Sequence, residues 1–268
     1  MVLCAALFLT LTVATGQPAP CLLPAYAHND YENERPFFDA IELGYRGVEA
    51  DFYFLDGELL VAHDRGDVVL GRTLESLYLA PLRERVERLG SVHGDGSQFY
   101  LNIESKEAGR EAYGTLRELL SRYADILTTV RGGEQSQGAV SVILVGSYPP
   151  LDELAREETR YVSVQRHFDE LRPADAELPA HLMSLISVEY RSFFRWGGRG
   201  RMPRRFERGL AQIREAKALH VGRIVRVIRA PRNGSVYEAL LGAGVDLIGA
   251  KDIERTREVL LPLVRDCD

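Results

Sequence analysis

This sequence carries no excess of basic residues: 33 Lys and Arg stand against 39 Asp and Glu, for a net charge of −6. Proteins that grip nucleic acid through its phosphates show the opposite balance, which argues against nucleic acid as the main partner. The apolar run at residues 2–14 is uncharged but shorter than the ~20 residues of a membrane-spanning helix, so no stable transmembrane segment is expected. No lipid-binding amphipathic segment stands out. No low-complexity tract, Pro/Gly/Ser linker or short repeat divides the remainder of the chain, so one domain is expected. Hydrophobic residues at 46% and charged residues at 27% leave enough apolar surface for a large core.

The N-terminal run is followed by Gln17, Pro18, Ala19 and Pro20. Its layout is that of a signal peptide with Ala14 and Gly16 in the cleavage positions, although no Lys or Arg precedes it. The expectation is a signal over residues 1–16, a mature domain over 17–268, and a secreted or periplasmic, cell-envelope location. A disordered or mis-started N-terminus is the alternative. Pro and Ala before Cys21, in place of a Leu-led lipobox, argue against a lipoprotein anchor. Cysteine is scarce: Cys4 would leave with the signal, and Cys21 and Cys267 would sit at the two ends of the mature chain. In a closed barrel those ends are neighbours, so the two would either pair or remain free thiols. A bridge over so long a loop contributes roughly 4–5 kcal/mol in the chain-entropy picture.

After the N-terminus, apolar strand-like runs alternate with helical patterns. Strands are expected at 24–29, 47–54, 97–104, 140–146, 161–165, 182–188, 223–228 and 245–249. Asp56-Gly57 marks a hairpin turn, with 58–62 as the return arm. Helices are expected at 35–43, ending at Gly44, and at 110–123, 207–219, 236–241 and 253–264. This βα alternation has the strand count of a TIM-type (β/α)8 barrel, and 268 residues suit its typical ~250. A doubly wound open sheet would carry a Gly-rich loop after its first strand; here that strand ends in Ala27-His28-Asn29-Asp30.

In such barrels the chemistry sits at the C-terminal strand ends. The first strand ends at His28, Asn29 and Asp30, and the second carries Glu49 and Asp51 in Val-Glu-Ala-Asp. The hairpin returns to His63 and Asp64, and the third strand ends in Asn102, Glu104 and Lys106. Residues i and i+2 of a strand share a face. Glu49 and Asp51 therefore converge with Glu104 if both faces look into the mouth. Three uncompensated carboxylates would repel and lose hydration. A divalent cation resolves this, and an all-oxygen set suits Mg²⁺ or Ca²⁺ better than Zn²⁺.

Residues 28–106 resemble the catalytic half of the phospholipase C-like phosphodiesterase superfamily, which includes glycerophosphodiester phosphodiesterases, phosphatidylinositol-specific phospholipases C and spider-venom phospholipase D enzymes. Within it the chain is similar to the branch of the altered-inheritance-of-mitochondria protein six family. Ala27 to Tyr31, Arg35-Pro36, Val48 to Asp51, Asp56-Gly57 and Val61 to Asp64 carry that likeness, with Phe193 to Pro203 and Ala243 to Ile248 extending it. The resemblance implies His28 and His63 as acid/base catalysts, Glu49, Asp51 and Glu104 as metal ligands, and Lys106 as a phosphate partner. Asn29 stands where glycerophosphodiesterases have a phosphate-contacting Arg, so it is a candidate substrate contact with altered specificity. The implied activity is metal-dependent cleavage of a glycerophosphodiester-like or lipid-headgroup phosphodiester, directly or through a cyclic phosphate. The alternatives are a lyase that stops at the cyclic product and a barrel that binds phospho-headgroups without cleaving them. A metal-dependent amidohydrolase would open with His-x-His, which this chain lacks. Lys251 departs from the acidic or neutral residue expected before Asp252. Arg226 and Arg229 are expected in solvated or helix-pairing roles, and His93, His167, His181 and His220 on the surface or in loops. Trp196 is expected either to cap the mouth or to pack.

Overall fold

The structure is a computed structural model and describes residues 21–107 and 109–264. It begins with β1 (Leu23–Ala27), α1 (Phe38–Glu42) and a hairpin of β2 (Tyr45–Leu55) and β3 (Glu58–Val61). Next come α2 (Ala80–Leu89), β4 (Phe99–Ser105), α3 (Gly109–Ser121), and a small ribbon of β5 (Thr129–Arg131) and β6 (Glu134–Ser136). They are followed by β7 (Val140–Gly146), α4 (Leu151–Ala155), β8 (Thr159–Arg160), β9 (Val162–His167), β10 (Met183–Glu189) and α5 (Tyr190–Phe193). The last elements are α6 (Arg204–Leu219), β11 (Ile224–Ile228), α7 (Gly234–Gly242), β12 (Leu247–Ala250) and α8 (Ile253–Leu260).

β1, β2, β4, β7, β9, β10, β11 and β12 pair in parallel in that order, and β1 also pairs with β12. The sheet therefore closes on itself as a single-domain TIM-type barrel, as the alternation of patterns predicts. Closure leaves no free edge among these strands. β3 hangs from β2 as an antiparallel arm. Its turn has Asp56 at φ 50° and Gly57 at φ 84°, the paired left-handed geometry that Asp-Gly supplies in tight hairpins.

Alternation along the strands divides the barrel into two layers. On β2, Val48, Ala50 and Phe52 join the apolar core with Leu101, Ile103, Val142, Leu144, Val225 and Val227. The helices cover that core with Ile41, Leu116, Leu120, Ile213 and Leu240. The opposite face of β2 turns Glu49 and Asp51 inward, where both are buried. Parallel pairing sets Glu49 beside Asn102 and Asp51 beside Glu104. The polar side chains of neighbouring strands thus reach the mouth in register.

Three features depart from the expected pattern. The first helix starts at Phe38 rather than at residue 35, because Pro36 is followed by Phe37 at φ 68°, outside helical geometry. A π-helical turn, Glu75–Leu79, leads into α2, which no periodicity announces. The ribbon β5–β6 with β8 is also absent from the expected pattern; strands of two or three residues are too short to show alternation. Cys21 is disulfide-bonded. Cys267, the candidate partner, Cys4 and the expected signal segment lie outside the described residues. Among the described residues no helix is long and apolar enough to cross a membrane.

Gly47, two residues before Glu49 on β2, makes a close strand contact. A Cβ there would lie 2.6 Å from the Tyr100 carbonyl oxygen on β4. Gly47→Ala is expected to force β2 and β4 apart locally and cost roughly 1–3 kcal/mol, read from urea denaturation. An unchanged midpoint would show that the strands yield without cost.

Candidate active site

The first strand delivers His28 and Asn29 to the mouth through a tight bend. Asn29 sits at φ 52°, a left-handed conformation that asparagine tolerates. Asp30 anchors the bend from below: it is fully buried and accepts hydrogen bonds from the Phe37 amide at 2.5 Å and from Asn33 Nδ2 at 3.1 Å. Burial pushes its carboxyl up to about 6. Asp30 is thus a clamp that holds the segment from Asn29 to Phe37, and it does not face the mouth chemistry.

Glu49 is gripped from two sides. His28 Nδ1 stands 2.6 Å from its Oε1, and Arg226 Nη1 stands 2.9 Å from its Oε2. Burial opposes the charge on Glu49, but Arg226 and His28 outweigh it and hold the carboxyl down to about 2. Arg226 is itself buried. It donates from Nε to Ser187 Oγ at 3.2 Å and from Nη2 to Gln165 Oε1, and its guanidinium lies 4.7 Å from the Tyr26 ring centre. This corrects the expected solvated or helix-pairing role for Arg226. A lone charge inside the apolar run Ile224–Ile228 was the available signal. Arg229 does lie exposed, paired with Glu189 at 3.0 Å.

Asp51 is the second hub. Tyr31 donates its hydroxyl to Oδ2 at 2.5 Å, Lys106 Nζ lies 2.7 Å away, and His63 Nδ1 lies 3.3 Å away. The same His63 nitrogen is 3.1 Å from the Tyr31 hydroxyl and 3.3 Å from Asn29 Nδ2. Lys106 also reaches Glu104 Oε1 at 3.2 Å. Burial, reinforced by neighbouring Asp51, pushes the Glu104 carboxyl up. Burial works against the Lys106 ammonium, yet Asp51 and Glu104 hold its proton more tightly than usual. Tyr31 belongs to the opening motif, where sequence alone gives it no role; its contacts tie the two histidine-bearing segments together. Asn102 shares the Glu104 face but lies deeper, donating to the Val48 carbonyl at 3.2 Å.

Seven expected residues therefore gather at one end of the barrel: His28, Asn29, Glu49, Asp51, His63, Glu104 and Lys106. Ligand atoms of Glu49, Asp51 and Glu104 lie within 4.8 Å of one another. Asp51 Oδ1 is buried with no hydrogen-bond partner, an open acceptor aimed where a cation would bind. Hard carboxylate donors at this spacing fit an oxygen-seeking divalent ion. Beside the histidines opens a cleft of about 500 Å³. Other expectations fare differently. His93 and His220 are buried rather than superficial; His93 Nε2 lies 3.0 Å from the Tyr45 carbonyl oxygen. Trp196 packs at 5.0 Å from the Phe206 ring.

Removing Arg226 would leave Glu49 buried with half of its compensation gone. Arg226→Met is expected to cost roughly 3–5 kcal/mol, the usual result of breaking a buried pair, measured by urea denaturation of metal-free protein. A loss below about 1 kcal/mol would show that the pair contributes no more than a surface contact.

Residues 17–165 match the model of the AIM6-like phosphodiesterase domain. Over 150 residues the chain is 29% identical to an altered inheritance of mitochondria protein 6 homolog of Arthroderma benhamiae, covering 47% of this chain and 48% of that protein. It is 28% identical over 187 residues to altered inheritance of mitochondria protein 6 of Lachancea thermotolerans, covering 61% of this chain and 43% of that protein. The chain thus spans about half the length of the curated relatives it matches. A solved structure from Agrobacterium tumefaciens, named as a glycerophosphoryl diester phosphodiesterase, superposes with a TM-score of 0.50 at 13% identity, covering 91% of this chain and 99% of that one. At that identity the likeness bears on the fold, and it agrees with the closed barrel. The expected secreted or cell-envelope location is overturned by the relatives, whose names point to a mitochondrial, cellular setting. With its strand-end motif intact and more than half its length matched, the chain belongs to the family of AIM6-like phosphodiesterase domains.

Proposed function

We propose that the chain is a metal-dependent phosphodiesterase acting on a glycerophosphodiester or a phospholipid-headgroup phosphodiester by two-histidine acid/base catalysis. One observation carries this reading. His28 and His63 line the same cleft, and each has its Nδ1 against a buried carboxylate of the trio, Glu49 and Asp51 respectively. A histidine oriented in this way through one ring nitrogen presents the other to a substrate, the arrangement that acid/base work requires.

Glu49, Asp51 and Glu104 would hold the cation, Mg²⁺ or Ca²⁺. A divalent ion bound there supplies Lewis-acid charge to the non-bridging oxygens of a phosphate. Lys106, on the floor between Asp51 and Glu104, adds a second positive charge as negative charge builds on the phosphate. Asn29, buried beside His63 with its Nδ2 at 2.8 Å from Glu32 Oε1 and 3.3 Å from His63 Nδ1, contacts the diester by turning one of these N–H groups to it. His28 takes the proton from the attacking hydroxyl and His63 gives one to the departing alcohol oxygen. An imidazole can accept or donate a proton at a ring nitrogen, which suits both tasks. The attacking hydroxyl is either water or a neighbouring hydroxyl of the substrate; the second route yields a cyclic phosphate.

Purified protein should hydrolyse bis(p-nitrophenyl) phosphate or a glycerophosphodiester in Mg²⁺ or Ca²⁺ and stop in EDTA. His28→Ala and His63→Ala should each lower kcat by ~10²–10⁴-fold, the usual share of a general acid or base. Phosphorus NMR separates a cyclic from an open product. Turnover that survives either substitution would contradict the assigned roles. Binding of headgroups without any turnover would make the barrel a binding protein.

A further inference from the structure

The cleft beside the histidines has a chemistry distinct from that of the carboxylate trio. Its volume of about 500 Å³ falls within the ~300–1,000 Å³ of small-molecule sites. His28 and His63 line it, whereas Glu49, Asp51, Glu104 and Lys106 do not. A phosphate seated between the trio and the histidines therefore extends one of its ester substituents into this cleft. This placement rests on the phosphodiesterase reading.

The rest of the lining is apolar or neutral apart from three cations and one carboxylate. The connection from β11 to α7 contributes Arg229 and Arg232, and the end of β12 contributes Lys251, against one lining carboxylate, Asp252. Arg229 pairs with Glu189 at 3.0 Å, Lys251 pairs with Glu32 at 3.1 Å, and Arg232 contacts Asp252. Glu189 and Glu32 lie outside the lining. The cationic side chains are 67%, 69% and 38% exposed, in the order Arg229, Lys251 and Arg232. Pairs this exposed contribute only ~0–1 kcal/mol, and each cation keeps further N–H donors free. An arriving anion can join or displace these partners at little cost. Tyr26 and Tyr237, both buried, also line the cleft, so an aromatic wall stands beside three ion-paired cations whose pairs are exposed.

We propose that this cleft is a headgroup subsite for an ester substituent carrying its own anionic group, a carboxylate or a second phosphate, and that Arg229, Arg232 and Lys251 set the preference. The neighbouring phosphate anchors the substrate, and these cations select what hangs from it.

Binding by calorimetry compares glycerol 3-phosphate with 3-phosphoglycerate, which adds a carboxylate, and with glycerol 1,3-bisphosphate, which adds a phosphate. At least one of the doubly anionic probes should bind roughly 10-fold or more tightly, a gain of about 1.4 kcal/mol; the tighter of the two identifies the group. The gain should vanish in Arg229→Gln/Arg232→Gln/Lys251→Gln and shrink in Lys251→Gln alone, with unfolding temperatures confirming that the variants fold. Equal affinity for all three probes, or a preference that survives the triple substitution, would overturn the subsite. Turnover of bis(p-nitrophenyl) phosphate or of a phosphodiester of 3-phosphoglycerate, which carries the anionic group, reports separately on the underlying reading. Turnover without anion preference removes only the subsite; anion preference without turnover removes the phosphodiesterase reading and leaves an anion-binding cleft.

Discussion

Glu49, Asp51 and Glu104 bring three carboxylates within 4.8 Å of one another in the mouth of a closed barrel, and the surrounding residues offset their repulsion. Two like charges ~4 Å apart repel by ~4 kcal/mol at the effective dielectric of a protein surface, and by more where water is excluded. Arg226 answers at Glu49 from inside the barrel, and Lys106 answers between Asp51 and Glu104. His28 stands against Glu49 and His63 against Asp51. Asp51 Oδ1 alone is left buried without a hydrogen-bond partner among the trio's oxygens. The three carboxylates are therefore brought together in the folded chain as a group that could hold a divalent ion.

The barrel makes this cluster possible by register. Because β2 and β4 pair in parallel with Asp51 beside Glu104, side chains distant in sequence reach the same level of the mouth. Arg226 reaches Glu49 from β11, on another side of the same closed sheet. Below the mouth, Asp30 fixes the bend that presents His28 and Asn29, and Tyr31 links Asp51 with His63. The histidines are thus tied to the carboxylates rather than merely placed near them. The connections after β11 and β12 are free of this duty. They form the other wall of the cleft, where Arg229, Arg232 and Lys251 sit.

Much of this was legible from residue patterns because it obeys local rules. Alternating runs and βα spacing predict the barrel strands, and Asp56-Gly57 predicts the hairpin through the left-handed turn it adopts. The period-two spacing of Glu49 and Asp51, and of Glu104 and Lys106, places their side chains on shared faces, and the structure brings them together. What local rules do not carry is long-range partnership. Arg226 meets Glu49 across 177 positions of chain, and nothing beside it in sequence announces an acidic partner. His93 was equally opaque: its carbonyl contact at Tyr45 lies 48 residues away. The π-helical turn at Glu75–Leu79 and the two- and three-residue strands are too short or too irregular to show a period.

Calorimetric titration of metal-free protein with Mg²⁺ and Ca²⁺ decides whether the trio binds one divalent cation. One ion per chain is expected, with affinity reduced at least ~10-fold in Asp51→Asn, as when a carboxylate of the set is removed. Saturating titrations with no binding, or binding that Asp51→Asn leaves unchanged, would contradict it and leave the carboxylates to their cationic neighbours alone.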